Sequence, residues 1–201
     1  MTGKTHRVGG MLCCLAGYSV LESKGMLLGN VNPLLQLSVM YPFAIYGSVM
    51  SDLDHHWESA PSKDIFSWFL NKVLHITTGV SDSIKKKVPI LKVFDAKHRS
   101  WQTHSDIFLL LMCILFSKLL GLSASVADAV IIKLIFVGLI LGIISHLVLD
   151  MLTPEGIWSI LFVSIRKITK LKLPEKVTFV PKKKFFATDG PWENLVRKVL
   201  W

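Results

Sequence analysis

Four apolar segments constrain the fold of this chain more than any other feature of its sequence. A transmembrane helix needs about 20 consecutive, predominantly apolar residues. The last two segments come closest to that requirement, whereas the first is short and the second is interrupted by Pro42. We therefore predict an all-α integral membrane protein with about four transmembrane helices. The segments are 8–21, 34–50, 107–122 and 129–152.

The distribution of basic residues predicts how these helices are oriented. The chain carries 23 Lys and Arg against 14 Asp and Glu, and most of the basic residues fall in the N-terminus, the long connection 51–106 and the tail 166–201. If all four segments cross the membrane, these three regions share one side, which the positive-inside rule assigns to the cytoplasm. We predict one membrane-embedded domain over residues 1–201 with both termini in the cytoplasm.

The composition also indicates which kind of partner the basic residues bind. The chain is 51% hydrophobic, and a nucleic-acid binder would not hold most of its length in apolar runs. The basic excess suits an anionic lipid surface instead. We expect the tail 166–201 to lie along that surface, with Trp158, Trp192 and Trp201 as interfacial anchors.

Residues of the types that bind metals occur at one end of each apolar segment. His6 opens the first segment, Asp52, Asp54 and His55 follow the second, His98 and His104 precede the third, and His146 and Asp150 end the fourth. In the four-span topology all of these positions lie at the cytoplasmic ends of their helices. We therefore expect them to form one layer in space.

Two of these motifs have ligand spacing. His146 and Asp150 are four residues apart, so they lie on one face of a helix, and a charged residue within a membrane helix is costly and usually functional. The alternative is a His–Asp hydrogen bond that stabilises the helix end. The block "SDLDHH" supplies Asp52, Asp54 and His55, oxygen and nitrogen ligands that suit Zn²⁺, Mn²⁺ or Mg²⁺. Its alternative is a solvated, capping turn.

The block "HRSWQTHS" combines two histidines with an arginine. His98 and His104 would be metal ligands, and Arg99 could clamp phosphoryl oxygens in a bidentate contact. The alternative for Arg99 is pairing with a lipid headgroup or a carboxylate. His75 has no such neighbours in sequence, so we interpret it as an ordinary loop or helix histidine.

These motifs resemble those of the YdjM-like family of bacterial inner-membrane proteins, which are described as LexA-regulated, membrane-bound, metal-dependent hydrolases. The matching features are the N-terminal histidine, "SDLDHHWESAPSK", "HRSWQTHS", "GIISHLVLDMLTPEGIWSILF" and the late "FFATDGPWENLV". The resemblance covers most of the chain except residues 64–95. It implies the bacterial cytoplasmic (inner) membrane and metal-site roles for His6, Asp52, Asp54, His55, His98, His104, His146 and Asp150.

The "SHLVLD" element is also similar to part of the metal sites of zinc-dependent bacterial phospholipase C. The leading hypothesis is a membrane-bound hydrolase of a phosphoester, such as a phospholipid headgroup, that uses metal-activated water. We expect two or three divalent ions, zinc before manganese or magnesium, with Asp54 and Arg99 as candidate catalytic residues. The alternative is a non-enzymatic membrane adaptor or stress-response protein whose metal joins the helix ends.

Overall fold

The computed structural model describes residues 3–28, 31–54, 64–77, 80–88, 103–122, 125–153, 156–159 and 176–178. This part of the chain is mostly helical. Its helices are α1 (Gly3–Ser23), α2 (Pro33–Met50), α3 (Ile65–Leu74), α4 (Asp82–Lys87), α5 (Asp106–Gly121) and α6 (Val126–Met151), with a 3₁₀ turn over Ser51–Asp54 directly after α2. Two short strands, β1 (Ile157–Trp158) and β2 (Lys176–Val177), pair antiparallel.

The four apolar segments all fold as helices, namely α1, α2, α5 and α6. Two helical stretches, Pro33–Asp54 and Ala127–Met151, are long and apolar enough to cross a membrane. With 16 residues, α5 is about 24 Å long, which is shorter than a hydrocarbon core of about 30 Å. The structure thus supports two candidate spans, and the four-span topology stays a prediction.

Local capping fixes where the helices of each hairpin begin. The Asn32 side chain accepts a hydrogen bond from the backbone N–H of Leu34, and Pro33 occupies the first helical position, where its missing N–H costs nothing. Ser105 and Ser125 cap α5 and α6, each by accepting the N–H of the residue three positions later. Each cap satisfies a backbone N–H that has no partner within its own helix.

Helices α2 and α6 cross at very short range because glycines line the crossing. A Cβ placed on Gly142 would collide with the carbonyl of Ala44 and lie 2.7 Å from the backbone nitrogen of Ser48. A Cβ on Gly47 would likewise collide with the carbonyl of Leu139. Small residues that allow such backbone contact are typical of helix pairs in membranes. The crossing places the second half of α2 against the middle of α6.

Helix α5 packs against α6, partly through stacked rings of Phe116 and Phe136 whose centroids lie 5.1 Å apart. The opposite face of α5 exposes Leu110, Leu111 and Ile114. An exposed apolar face of this kind suits contact with lipid hydrocarbon rather than water.

Candidate metal centre

The structure brings five of the proposed ligand residues into one buried group, which we call the His/Asp cluster. His104 and His146 are 0% exposed, His6 and Asp150 are 1% exposed, and Asp52 is 7% exposed. They come from the start of α1, the 3₁₀ turn after α2, the residue pair before α5 and the end of α6. Residues as far apart in sequence as His6, His104 and Asp150 thus meet at one end of the helices.

Three atoms at the centre of the cluster form a nearly equilateral triangle. His104 Nε2 lies 3.2 Å from His146 Nε2, and each of these nitrogens lies 3.4 Å from Asp150 Oδ2. Two ligands of a tetrahedral zinc ion with bonds of about 2.0–2.1 Å are separated by about 3.3 Å. The triangle therefore has the dimensions of one face of a tetrahedral coordination shell.

Two further members of the cluster border this triangle. Asp52 Oδ1 lies 3.5 Å from His104 Nε2 and 3.8 Å from His146 Nε2. His6 Nε2 lies 3.6 Å from Asp150 Oδ1, and the His6 ring stacks on the His146 ring with centroids 4.0 Å apart. His6, Asp52 and His146 thus form a second group of ligand atoms close enough to hold an ion.

A backbone carbonyl fixes the tautomer of His146. Its Nδ1 lies 2.7 Å from the carbonyl oxygen of Ser48. A carbonyl can only accept, so Nδ1 carries the hydrogen, and in the neutral ring the lone pair is on Nε2. Metal-binding histidines are commonly oriented in this way by a hydrogen bond from the other ring nitrogen.

His104 is oriented by a hydroxyl and a carboxylate. Thr103 Oγ1 donates to Asp54 Oδ2 over 2.7 Å and lies 3.0 Å from His104 Nδ1. Because the hydroxyl hydrogen is directed to Asp54, His104 Nδ1 must be the donor to Thr103, and its lone pair is then on Nε2. Asp54 Oδ2 lies 3.3 Å from His104 Nδ1. This oxygen is thus on the side of His104 away from the triangle, in the position of a carboxylate that orients a ligand.

The two hydrogen-bonding arrangements have a joint consequence. Both His104 and His146 direct Nε2 lone pairs toward each other over 3.2 Å, and two lone pairs at this range repel unless a proton or a metal cation lies between them. Burial would lower the pKa of His104, but its contacts with Asp52 and Asp54 raise that pKa to about 9. The site therefore attracts positive charge, and a metal ion would compete with the proton for the same position.

Helix α3 supports the 3₁₀ turn that carries Asp52 and Asp54. The Asn71 side chain donates to the carbonyl of Leu53 over 2.6 Å, and His75 Nε2 lies 3.0 Å from the carbonyl oxygen of Asp54. The sequence interpretation of His75 as an ordinary histidine missed this contact. The sequence signal for this packing is the spacing of Ser67, Asn71 and His75, which are four residues apart and so share one face of an otherwise apolar helix.

The remaining proposed site residues are not placed by the structure. His55, His98 and Arg99 lie outside the described residues, so their roles stay predictions. Cys14 is buried in a separate apolar group with Tyr18 and Met40, where its thiol packs as a small apolar side chain.

Comparison with known proteins gives one family. The family model described as YdjM inner membrane protein matches residues 1–170. Neither the curated proteins nor the solved structures gave a match. The matched region includes all four apolar helices and every member of the His/Asp cluster. The chain therefore belongs to the YdjM inner membrane protein family.

Proposed function

We propose that this chain is a membrane-bound, metal-dependent hydrolase that acts on a phosphoester such as a phospholipid headgroup. The observation that carries the proposal is the triangle of His104 Nε2, His146 Nε2 and Asp150 Oδ2, with edges of 3.2–3.4 Å. Three protein ligands with a further position for water or substrate are the usual arrangement of a catalytic zinc site, whereas structural sites are filled by four protein ligands.

The side chains around the triangle orient the residues that would bind the ion. A divalent ion held there would supply Lewis acidity that lowers the pKa of water and polarises a phosphoryl oxygen. Thr103 and Asp54 orient His104, and the Ser48 carbonyl orients His146. Asp54 is therefore proposed to act through His104, whereas the sequence predicted it as a metal ligand and a candidate catalytic residue.

The lone pairs of His146 limit how many ions it can bind. Nδ1 of His146 is committed to the Ser48 carbonyl, so its Nε2 can serve only one ion. A second ion beside His6 and Asp52 therefore needs another ligand, and His55 and His98 are the candidates. Arg99, close to His98 in sequence, is proposed to clamp the phosphoryl oxygens.

A phospholipid headgroup suits a site at the ends of membrane helices. We propose that α1, α2, α5 and α6 all cross the inner membrane and that their cluster ends face the cytoplasm, with the basic tail on the anionic leaflet. Fluorescent-protein and alkaline-phosphatase fusions to the C-terminus test this. A fluorescent, phosphatase-inactive C-terminus supports the topology, and the reverse result contradicts it.

A second candidate function is a structural metal that joins the helix ends. It is favoured by the burial of the cluster, in which every member is at most 7% exposed. The protein would then be an adaptor or stress-response component, and the ion would tie α1, α2 and α6 to the segment before α5.

The experiment that separates the two candidates combines metal analysis with substrate hydrolysis. Purified protein is analysed for bound transition metals and assayed on a panel of phospholipids and generic phosphoesters, together with His146→Ala and Asp150→Ala. Asp128→Ala is the matched control, because Asp128 lies in the first turn of α6, at the end away from the cluster. Bound metal with hydrolysis that both cluster variants lose supports the hydrolase. Bound metal without hydrolysis supports the structural role, and absence of metal contradicts both.

A further inference from the structure

An apolar groove lies between α2, α5 and α6, beside the His/Asp cluster. Its volume is about 600 Å³, within the range of about 300–1,000 Å³ that is typical of ligand sites. Phe43 and Met50 line it from α2, Met112 and Leu115 from α5, and Leu139 from α6. Apart from Asp64, whose carboxylate accepts hydrogen bonds from the backbone N–H and the hydroxyl of Ser67, the lining is almost entirely apolar. The hydroxyl of Tyr46, a further lining residue, is hydrogen-bonded to Ser67 Oγ over 2.7 Å.

The groove leads toward the cluster along all three helices. Met50 precedes Asp52 by two residues, so their Cα atoms are at most about 7 Å apart. Leu139 precedes His146 by seven residues on the same face of α6, about 10 Å along the axis. His104 lies just before α5, which runs in the opposite direction to α2 and α6, and Met112 follows it by eight residues. One end of the groove therefore lies about one to two helical turns from the proposed metal ion.

The groove is also open toward the lipid-facing side of α5. Leu115 lines the groove and is 46% exposed, on the same helix as the exposed Leu111 and Ile114. α5 packs mainly on α6, so the groove separates it from α2. If α5 crosses the membrane as proposed above, this opening faces hydrocarbon, and an acyl chain is the apolar ligand at hand to fill it.

We propose that this groove holds one acyl chain of a membrane lipid whose headgroup lies at the His/Asp cluster. The assignment of that lipid as substrate rests on the proposed hydrolase function, but its binding does not. The groove would fix the lipid laterally and bring its phosphoester to the triangle of His104, His146 and Asp150. Selection would then act on the presence of a long chain as well as on the headgroup.

The test uses a phosphatidylglycerol that carries a photoreactive diazirine within one acyl chain. Full-length protein is reconstituted in vesicles of phosphatidylethanolamine and phosphatidylglycerol that contain this probe, irradiated and mapped by mass spectrometry. We expect the label on groove residues such as Met112 and Phe43. Leu115→Trp places an indole in the mouth of the groove and should lower this labelling at least about tenfold, equivalent to about 1.4 kcal/mol.

Leu111→Trp is the matched control. Leu111 is one turn from Leu115 on the same helix, is 56% exposed and does not line the groove. It should retain wild-type labelling of the groove, while circular dichroism and size-exclusion chromatography show that both variants fold. Equal labelling of the groove in the two variants would overturn the proposal. So would the absence of label on groove residues in the wild type, because the groove would then be empty or filled by another part of the chain.

The two proposals can fail separately. Groove labelling without any hydrolysis contradicts the hydrolase and leaves the lipid site in place. Hydrolysis of phospholipid without groove labelling contradicts the lipid site and leaves the hydrolase in place. If both hold, the ratio of phospholipid to soluble phosphomonoester hydrolysis should fall in Leu115→Trp and stay unchanged in Leu111→Trp.

Discussion

The position of Asp54 gives the sharpest prediction about the roles of the cluster carboxylates. Asp54 Oδ2 contacts Thr103 Oγ1 and His104 Nδ1, whereas Asp150 Oδ2 lies 3.4 Å from Nε2 of both His104 and His146. Replacing Asp54 by Asn keeps the shape of the side chain but weakens the acceptor that orients His104. Replacing Asp150 by Asn removes a proposed ligand.

The expected magnitudes differ. Loss of a partner that orients a ligand typically costs 10–100-fold in metal affinity, about 1.4–2.7 kcal/mol. Asp54→Asn should therefore bind the same number of ions with affinity weakened by about that factor. Asp150→Asn should lose substantially more than about 100-fold, since one corner of the triangle is gone.

The assay is competition with a chromophoric chelator in detergent, with bound zinc counted by mass spectrometry. Asp128→Asn is the control for loss of a carboxylate, because Asp128 interacts with Ser125 in the first turn of α6. It should bind zinc as the wild type does. If Asp54→Asn abolishes binding as completely as Asp150→Asn, Asp54 is itself a ligand and the assigned orientation of His104 is wrong.

The helix crossing, the support of the 3₁₀ turn and the protonation of His104 can each be tested separately. Gly142→Ala should lower the free energy of unfolding by about 1–3 kcal/mol, because a Cβ at this position would push α2 away from α6. Gly121→Ala is the control and should leave this free energy unchanged, because a Cβ there meets nothing within 4 Å. Thermal unfolding in detergent measures both variants. Asn71→Ala removes the 2.6 Å hydrogen bond to the buried carbonyl of Leu53 and should lower the free energy of unfolding by about 1–3 kcal/mol. Zinc binding should also weaken, and an unchanged melting temperature would contradict the proposed support of the 3₁₀ turn. Zinc affinity should increase as the pH rises towards about 9, because His104, whose pKa is raised to about 9, must release its proton to bind zinc. An affinity that does not depend on pH would refute this.

Much of the helical framework could be predicted from hydrophobic pattern alone. The four apolar segments coincide with α1, α2, α5 and α6, because runs of that length and composition have few other ways to satisfy their backbone. The meeting of His6, Asp52, His104, His146 and Asp150 could also be inferred, because the predicted four-span topology places these positions at the same end of the helices.

The orientation of the ligands could not be predicted in the same way. The tautomer of His146 depends on the carbonyl of Ser48, which lies beside it only because Gly142 lets α2 approach α6 closely. The contact of His75 with the Asp54 carbonyl depends on where α3 packs. Such contacts join residues far apart in sequence, and no local periodicity or spacing encodes them.

X-ray absorption spectroscopy of zinc-loaded protein would identify the atoms that bind the ion. We expect a first shell of nitrogen and oxygen at about 2.0–2.1 Å and outer-shell scattering from imidazole rings, which should be reduced in His146→Ala. Cys13, Cys14 and Cys113 have no part in the proposed centre, so no sulfur should be seen. A sulfur shell at about 2.3 Å, or imidazole scattering unchanged in His146→Ala, would contradict a metal centre at the meeting point of His104, His146 and Asp150.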